Sequence, residues 1–260
     1  MNAALGARIS RSLILPAVLI VLWQAWAQTI EQPSHAPMPT RVVLAAIRLI
    51  GSLDLPWAIF ESLGRVFGGF ALAAAIAIPL GLLMGSVRAI ERNLDPIVES
   101  FRPIAAIAIL PLAILWFGTG TPAAVFIVAY AAFFPMVINT VAGVKRVDPR
   151  LIQAAQTMGV GRFDILRLVI VPGALPAIGT GMRISMGVAW TAIVAAELAV
   201  GAKAGGGSSG GVGQMMFVFY AYSVELNSIV VCMIAVGLVA YALDRAMRVL
   251  LARAMPWTKR

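Results

Sequence analysis

Arg183 and Glu197 are the charged residues of an otherwise uncharged stretch, about residues 175–200. On a helix rising 1.5 Å per residue they stand about 21 Å apart, one near each end, so they cannot pair with each other. A charge at membrane depth is costly and faces a cavity or a partner. Arg183 is therefore either an internal positive site that helps an anion through, or a side chain snorkelling to the cytoplasmic interface. Glu197 either shapes an external gate or docks an outside protein, or is a satisfied interfacial carboxylate. Trp190, between them, either narrows a pathway or simply packs. The single His, His35, sits in a proline-rich loop without a neighbouring Cys or Asp, and the single Cys, Cys232, falls in an apolar run. Neither a disulfide framework nor a metal cluster follows. No nucleophile, base and orienter recur together, so no catalytic residue is assigned.

The other chemistry-bearing stretch is QAAQTMGVGRFDILRLVIVP, residues 153–172, too short and polar to span a bilayer. Upstream, Asp148 suits a helix cap, Pro149 the first helical position, and Gly159 the left-handed residue past the end. The helix between them is about 15 Å long, half a bilayer. Leu151, Ala154, Ala155 and Met158 recur at i, i+3, i+4 and i+7, giving one small apolar face. That face either enters a partner's groove or packs on the protein's own loops.

The elements that carry these residues are membrane spans. The 260-residue chain is 61% hydrophobic and 12% charged, with a mean hydropathy of +0.93; a soluble domain carries about 25% charged residues. The net charge of +9 does not point to nucleic acid, because the basic residues lie between apolar runs rather than on one face. A helix needs about 20 apolar residues to cross. Residues 12–30 form the first candidate. It resembles a signal peptide with an A-x-A site at Ala25–Ala27, but Trp23 and Trp26 suit interfacial anchors and favour a retained helix. Val42 to Ile50 reads as an amphipathic helix on the outer surface. Residues 66–87 are the second span, preceded or accompanied by the close-contact pairs Gly64–Gly68 and Gly81–Gly85. Residues 103–144 carry no charge and contain the turn WFGTGTP, 116–122, which predicts a helical hairpin. Residues 175–200 and 226–243 complete six spans. With both termini cytoplasmic, three-quarters of the basic residues fall inside, including Arg88, Arg92, Arg102 and Lys145 to Arg167.

Residues QAA, Gly159, Val169, Val171 and Pro172, at their spacing, resemble the E-A-A signature of bacterial ABC-importer permeases. Gln153 stands where that pattern has Glu, and Val169 and Val171 replace its Ile and Leu. ESLGRVFGGFALAAAIAIPLGLLMGSVRAIERNLDPIVESFRPI, LPLAILWFGTG and PGALPAIGTGMRISMGVAWTAIVAAEL extend the resemblance to the nitrate/taurine/aliphatic-sulfonate branch over about residues 60–200. The resemblance implies an all-α membrane protein of the type I ABC importer permease fold, six transmembrane helices with a cytoplasmic coupling helix. It implies residues 1–58 as an N-terminal helix and external linker, and 59–260 as the permease core. It further implies a second copy of the permease, two ATPase subunits, an external substrate-binding protein, and residence in the bacterial inner membrane. Leu151, Gln153, Ala154, Ala155, Met158, Gly159 and Pro172 then form the ATPase-coupling site. The chain has no G-x-x-x-x-G-K-S/T loop, so ATP and Mg²⁺ belong to the partner ATPase and no cofactor to this chain. The run GGGSSGG, 205–211, lacks the Lys and the strand of a phosphate cradle and reads as a flexible external loop. A self-contained secondary carrier or channel is the alternative; it calls for internal repeats and mid-membrane ionisable groups.

Overall fold

Two helices, α3 (Asp54–Ser86) and α6 (Thr121–Lys145), meet along a row of glycines. A Cβ at Gly69 would lie 2.6 Å from Val128, one at Gly81 2.6 Å from Thr140, and one at Gly85 2.6 Å from Val144. In each case the partner lies 59 positions further along, so the two helices run parallel. Only backbones stripped of side chains approach this closely. Of the glycines expected to pair, Gly81 and Gly85 do so, a Cβ at Gly68 would make only ordinary contact with Val125 at 3.7 Å, and one at Gly64 would meet open space. The structure, a computed structural model, describes residues 2–29, 36–200 and 210–256. His35 and residues 205–209 of the GGGSSGG run lie outside the described residues.

Parallel neighbours require the chain to return between them. Residues 88–117 do this as a bent pair: α4 (Arg88–Phe101), then a tight turn from Ala106 leading into α5 (Leu110–Phe117), with an 87° bend. The expected hairpin at residues 116–122 is present, with Gly118 at φ +74. Its first arm is shorter than expected, however, because Pro103 stops α4 and the α-helix resumes only at Leu110. α4 climbs back along α6. Glu91 pairs with Lys145 at one end, and at the other Tyr130 donates its hydroxyl to the Phe101 carbonyl at 2.8 Å.

The next helix, α7 (Pro149–Thr157), stands beyond the end of α6. α8 (Arg162–Ile165) follows and widens through Leu166–Ile170 into α9 (Val171–Val200). α9 runs antiparallel to α6: Gly143 faces Ala174 and Ala177, Gly181 faces Asn139, and Ser185 donates to the Ala132 carbonyl at 2.7 Å. α10 (Val212–Val218) leads to α11 (Leu226–Ala254), antiparallel to α9. Val66, Phe70, Met84, Val128, Met136, Trp190 and Ile193 fill the space between α3, α6 and α9. Among the described residues, four helical stretches, 54–86, 121–145, 162–200 and 226–254, are long and apolar enough to cross a membrane, and the bent pair 88–101 and 106–117 reaches that length and apolarity only when its two pieces are taken together.

At the end opposite α7, α2 (Pro39–Gly51) packs on α11. Val42 and Leu49 are buried there, whereas Val43, Ile47 and Ile50 point outward. The expected apolar stripe thus divides into two faces, one for the protein and one for its surroundings. α1 (Asn2–Gln28) joins through Gln24, which accepts from the Thr40 N–H at 3.4 Å. Arg48 closes this layer onto Glu225 at 2.6 Å. The Ser228 hydroxyl and then Arg48 hold the Glu225 carboxyl below its ordinary range. Such a group stabilises above the unfolded pKa, and its contribution is lost as pH falls through the lower folded value. The protection of the α2 amides, taken relative to the intrinsic exchange rate at each pH, is therefore expected to stay constant down to about pH 4.3 and to fall only below it; a fall already at pH 6 would exclude this tether.

The glycine row gives a second test. Gly69→Val should cost about 1–3 kcal/mol by overpacking α3 against α6, whereas Gly64→Ala should be neutral or slightly stabilising. Thermal unfolding of the detergent-solubilised variants measures both, and equal losses would contradict the parallel α3–α6 contact.

Candidate functional site

Glu197 lies near the end of α9 away from α7 and is 3% exposed. Its carboxylate accepts from the Ser62 hydroxyl (2.8 and 3.0 Å to its two oxygens), from Arg65 Nη1 (2.6 Å) and from the Gly213 N–H (3.1 Å). Ser62 in turn accepts from the Val212 N–H at 3.0 Å, and Arg65 Nη2 reaches Glu61 at 3.2 Å. A Cβ at Gly213 would stand 2.4 Å from the Val194 carbonyl, so only glycine lets α10 come this near. The carboxylate is thus fully partnered and holds α3, α9 and α10 together. A cavity of only about 20 Å³ lies beside it, lined by Arg65, Gln214 and Gly120 among others. The described residues give Glu197 protein donors from two other helices and leave it 3% exposed. Glu61, Ser62 and Arg65 were not anticipated. They sit just ahead of the run taken as a span, and their one sequence signal is the i, i+4 spacing of Glu61 and Arg65.

Arg183 is paired as well. Its Nε donates to Asp244 Oδ1 at 2.5 Å and Nη2 to Oδ2 at 3.2 Å, while Arg248 adds a third bond to the same carboxylate at 3.0 Å. Hydropathy does not reveal this partner, because Asp244 stands one residue beyond the apolar run 226–243. The trio borders a groove of about 660 Å³ between α9 and α11. Trp190 is 1% exposed and gives its indole N–H to the Val236 carbonyl at 3.1 Å. It packs between α9 and α11 and does not face an opening.

The short helix forms as its sequence dictates. The Asp148 carboxylate accepts from the Arg150 N–H at 2.9 Å, Pro149 opens α7, and Gly159 takes φ +77. The Val160 N–H then reaches back to the Ala155 carbonyl at 3.1 Å, closing the C-terminal turn. No residue of α7 is buried. Leu151 and Met158 are 57% and 81% exposed, and Gln153 and Ala154 are exposed beside them. Ala155 differs from the expected face: with Ile152 it packs against Val144, Ile165, Ile170 and Ala174. A nine-residue helix touches the bundle along one edge, and the i+4 position of the apolar set falls on that edge. Pro172 is exposed and follows directly on the widened turn Leu166–Ile170, inside the continuous helical stretch 162–200.

Arg65→Met leaves the Glu197 carboxylate buried without its cation and should cost about 3–5 kcal/mol. The double variant Arg65→Met/Glu197→Leu should recover most of that loss. Denaturant unfolding in detergent distinguishes the two, and equal loss in both would mean the pair does not act as a unit.

Comparison with known proteins places this geometry. Residues 77–255 match the family model described as binding-protein-dependent transport system inner membrane component. The taurine transport system permease protein TauC of Escherichia coli is 34% identical over 248 residues, 94% of this chain and 87% of that protein. The nitrate import permease protein NrtB of Synechocystis is 35% identical, over 92% of this chain and 86% of its own length. An inward-facing structure of the MetNI methionine ABC transporter superposes with a TM-score of 0.58 at 26% identity, covering 75% of this chain and 95% of the other. The chain belongs to the binding-protein-dependent transport system inner membrane component family: it is a permease subunit of an ABC importer, a transport subunit whose ATPase activity lies in separate subunits.

Proposed function

We propose that two copies of this chain form the translocation pathway of an importer for a small anionic solute in the bacterial cytoplasmic membrane. Residues 1–58 supply an N-terminal span and external linker, and residues 59–260 the permease core. The six crossings are α1, α3, the bent α4–α5 segment, α6, α9 and α11, with both termini cytoplasmic. This assignment puts α7, Lys145, Glu91 and Arg248 on the cytoplasmic side and the Glu197 network on the external side. An external binding protein delivers the solute. The partner ATPases hold ATP and Mg²⁺, and this chain holds no cofactor. The relatives named for taurine and nitrate support a solute that carries an oxyanion group, the sulfonate of one and the nitrate of the other.

The observation that carries the reading is α7, a nine-residue helix capped at both ends, with none of its residues buried. Its outward residues Leu151, Ala154 and Met158 suit a groove in the ATPase, with Gln153 and Gly159 at its margins and Ala155 bracing it from behind. A helix this short is marginal by itself, so its exposed apolar side is explained by a partner rather than by its own folding.

Ala154→Asp is expected to place an unpaired carboxylate in that contact, at a cost of several kcal/mol. The variant should insert normally yet fail to retain the ATPase in a pull-down, and ATP-driven uptake should collapse. Ala154 is the cleaner position, since Ala155→Asp would also disturb the bundle. Normal ATPase recovery with Ala154→Asp would remove the docking assignment.

A further inference from the structure

Arg183 was the obvious cation for an anion's passage, but its guanidinium is already engaged by Asp244 through two bonds, at 2.5 and 3.2 Å. A passing anion would have to displace a carboxylate. Arg102 is placed differently. It follows α4, whose end is held by Tyr130 through the bond to the Phe101 carbonyl at 2.8 Å and a longer one to the Ile104 carbonyl at 3.5 Å. Tyr130 stands 15 residues before Lys145 on α6, about 22 Å along the helix. The climb of α4 therefore carries Arg102 away from the Glu91–Lys145 end and into membrane depth, although its position in the sequence had assigned it to the cytoplasmic loop. Its recorded ion-pair contact is a single long one, from Nη1 to Glu99 at 3.5 Å, and its side chain is 55% exposed.

Arg102 lines a cavity of about 450 Å³ on the face shared by α6 and α9, within the usual range for small-molecule sites, about 300–1,000 Å³. Phe134, Ile138 and Ile184 make its wall apolar, and Asn139, whose amide donates to the Pro135 carbonyl at 2.7 Å, adds a polar group toward the Lys145 end of α6. A weakly partnered guanidinium facing an apolar wall suits a solute with a planar or tetrahedral oxyanion at one end and a short hydrocarbon at the other. We propose that this cavity is a transit site for small organic anions, with Arg102 as the pairing cation and Tyr130 as the residue that positions it. The proposal rests on the importer reading for its direction of travel, but not for its chemistry.

The test uses the full permease with its ATPase in lipid nanodiscs and follows phenylglyoxal modification of individual arginines by mass spectrometry. Ethanesulfonate is the probe, and dimethyl sulfone, similar in size but uncharged, is the control. At an ethanesulfonate concentration about twice the site's Kd, labelling of Arg102 should slow about threefold by simple competition. Labelling of Arg183 should not change. Tyr130→Phe should weaken the protection while ATPase co-purification stays normal, and full protection in that variant would remove the positioning role. Unprotected Arg102, or equal protection by the sulfone, overturns the site. Protection at Arg102 in nanodiscs, with no ATP-driven ethanesulfonate uptake by the same assembly and its binding protein in proteoliposomes, would remove the anionic solute from the proposed function and leave the site standing.

Discussion

A charge surrounded by hydrocarbon has to find its partners inside the protein, because the solvent there offers none. The Glu197 carboxylate meets this demand through donors from α3 and α10 while it sits on α9. Arg183 meets it with Asp244, joining α9 to α11, and at the α7 end of the bundle, where the charges are more exposed, Glu91 pairs with Lys145 and joins α4 to α6. The polar contacts thus fall at successive levels along the bundle, each linking a different set of helices. A buried pair is weak evidence for stability, since hydrophobic replacements often serve as well. What these pairs do supply is register: a helix sliding by one turn would strand a charge.

The levels connect. α6 and α9 both end at α7, and α9 continues unbroken to Glu197, about 39 Å from its first residue at 1.5 Å per residue. A body that grips α7 therefore holds the ends of the two helices that line the Arg102 cavity, and one of these also carries Glu197 near its far end. Ala155 and Ile152, packed against the ends of α6 and α9, are the contacts through which a displacement of α7 would be felt. The exposed side of the helix and its packed side have separate tasks, and the small residues Ala154 and Ala155 serve one each.

Much of this was readable before any coordinates. Asp148, Pro149 and Gly159 mark the ends of α7 by local backbone chemistry, which needs no tertiary information, and the hairpin at residues 116–122 is signalled the same way. The long apolar runs locate α3, α6, α9 and α11. The polar partnerships were not readable. Arg65 and Asp244 border the runs taken as spans, and a boundary drawn by hydropathy discards as flanks the side chains that reach back in. Ala155 shows another limit: spacing defines a stripe but not which edge of it meets the protein. The parallel pairing of α3 and α6 depends on contacts 59 residues apart, which no local pattern encodes. That pairing is also why Arg102, adjacent to cytoplasmic residues in the chain, comes to lie beside Tyr130.

The parallel pairing has a consequence in time. α3 leaves the ribosome with its glycine face ready, but the surface it fits is Val128 to Val144, made roughly 60 residues later. At about 5–20 residues per second that is about 3–12 s, far longer than a helix needs to form. During that interval Gly69, Gly81 and Gly85 border lipid or a provisional neighbour, and Arg65 waits still longer for Glu197. α3 is the helix most in need of shelter while the chain is being made, and the pace of synthesis across α4 and α5 sets how long that need lasts.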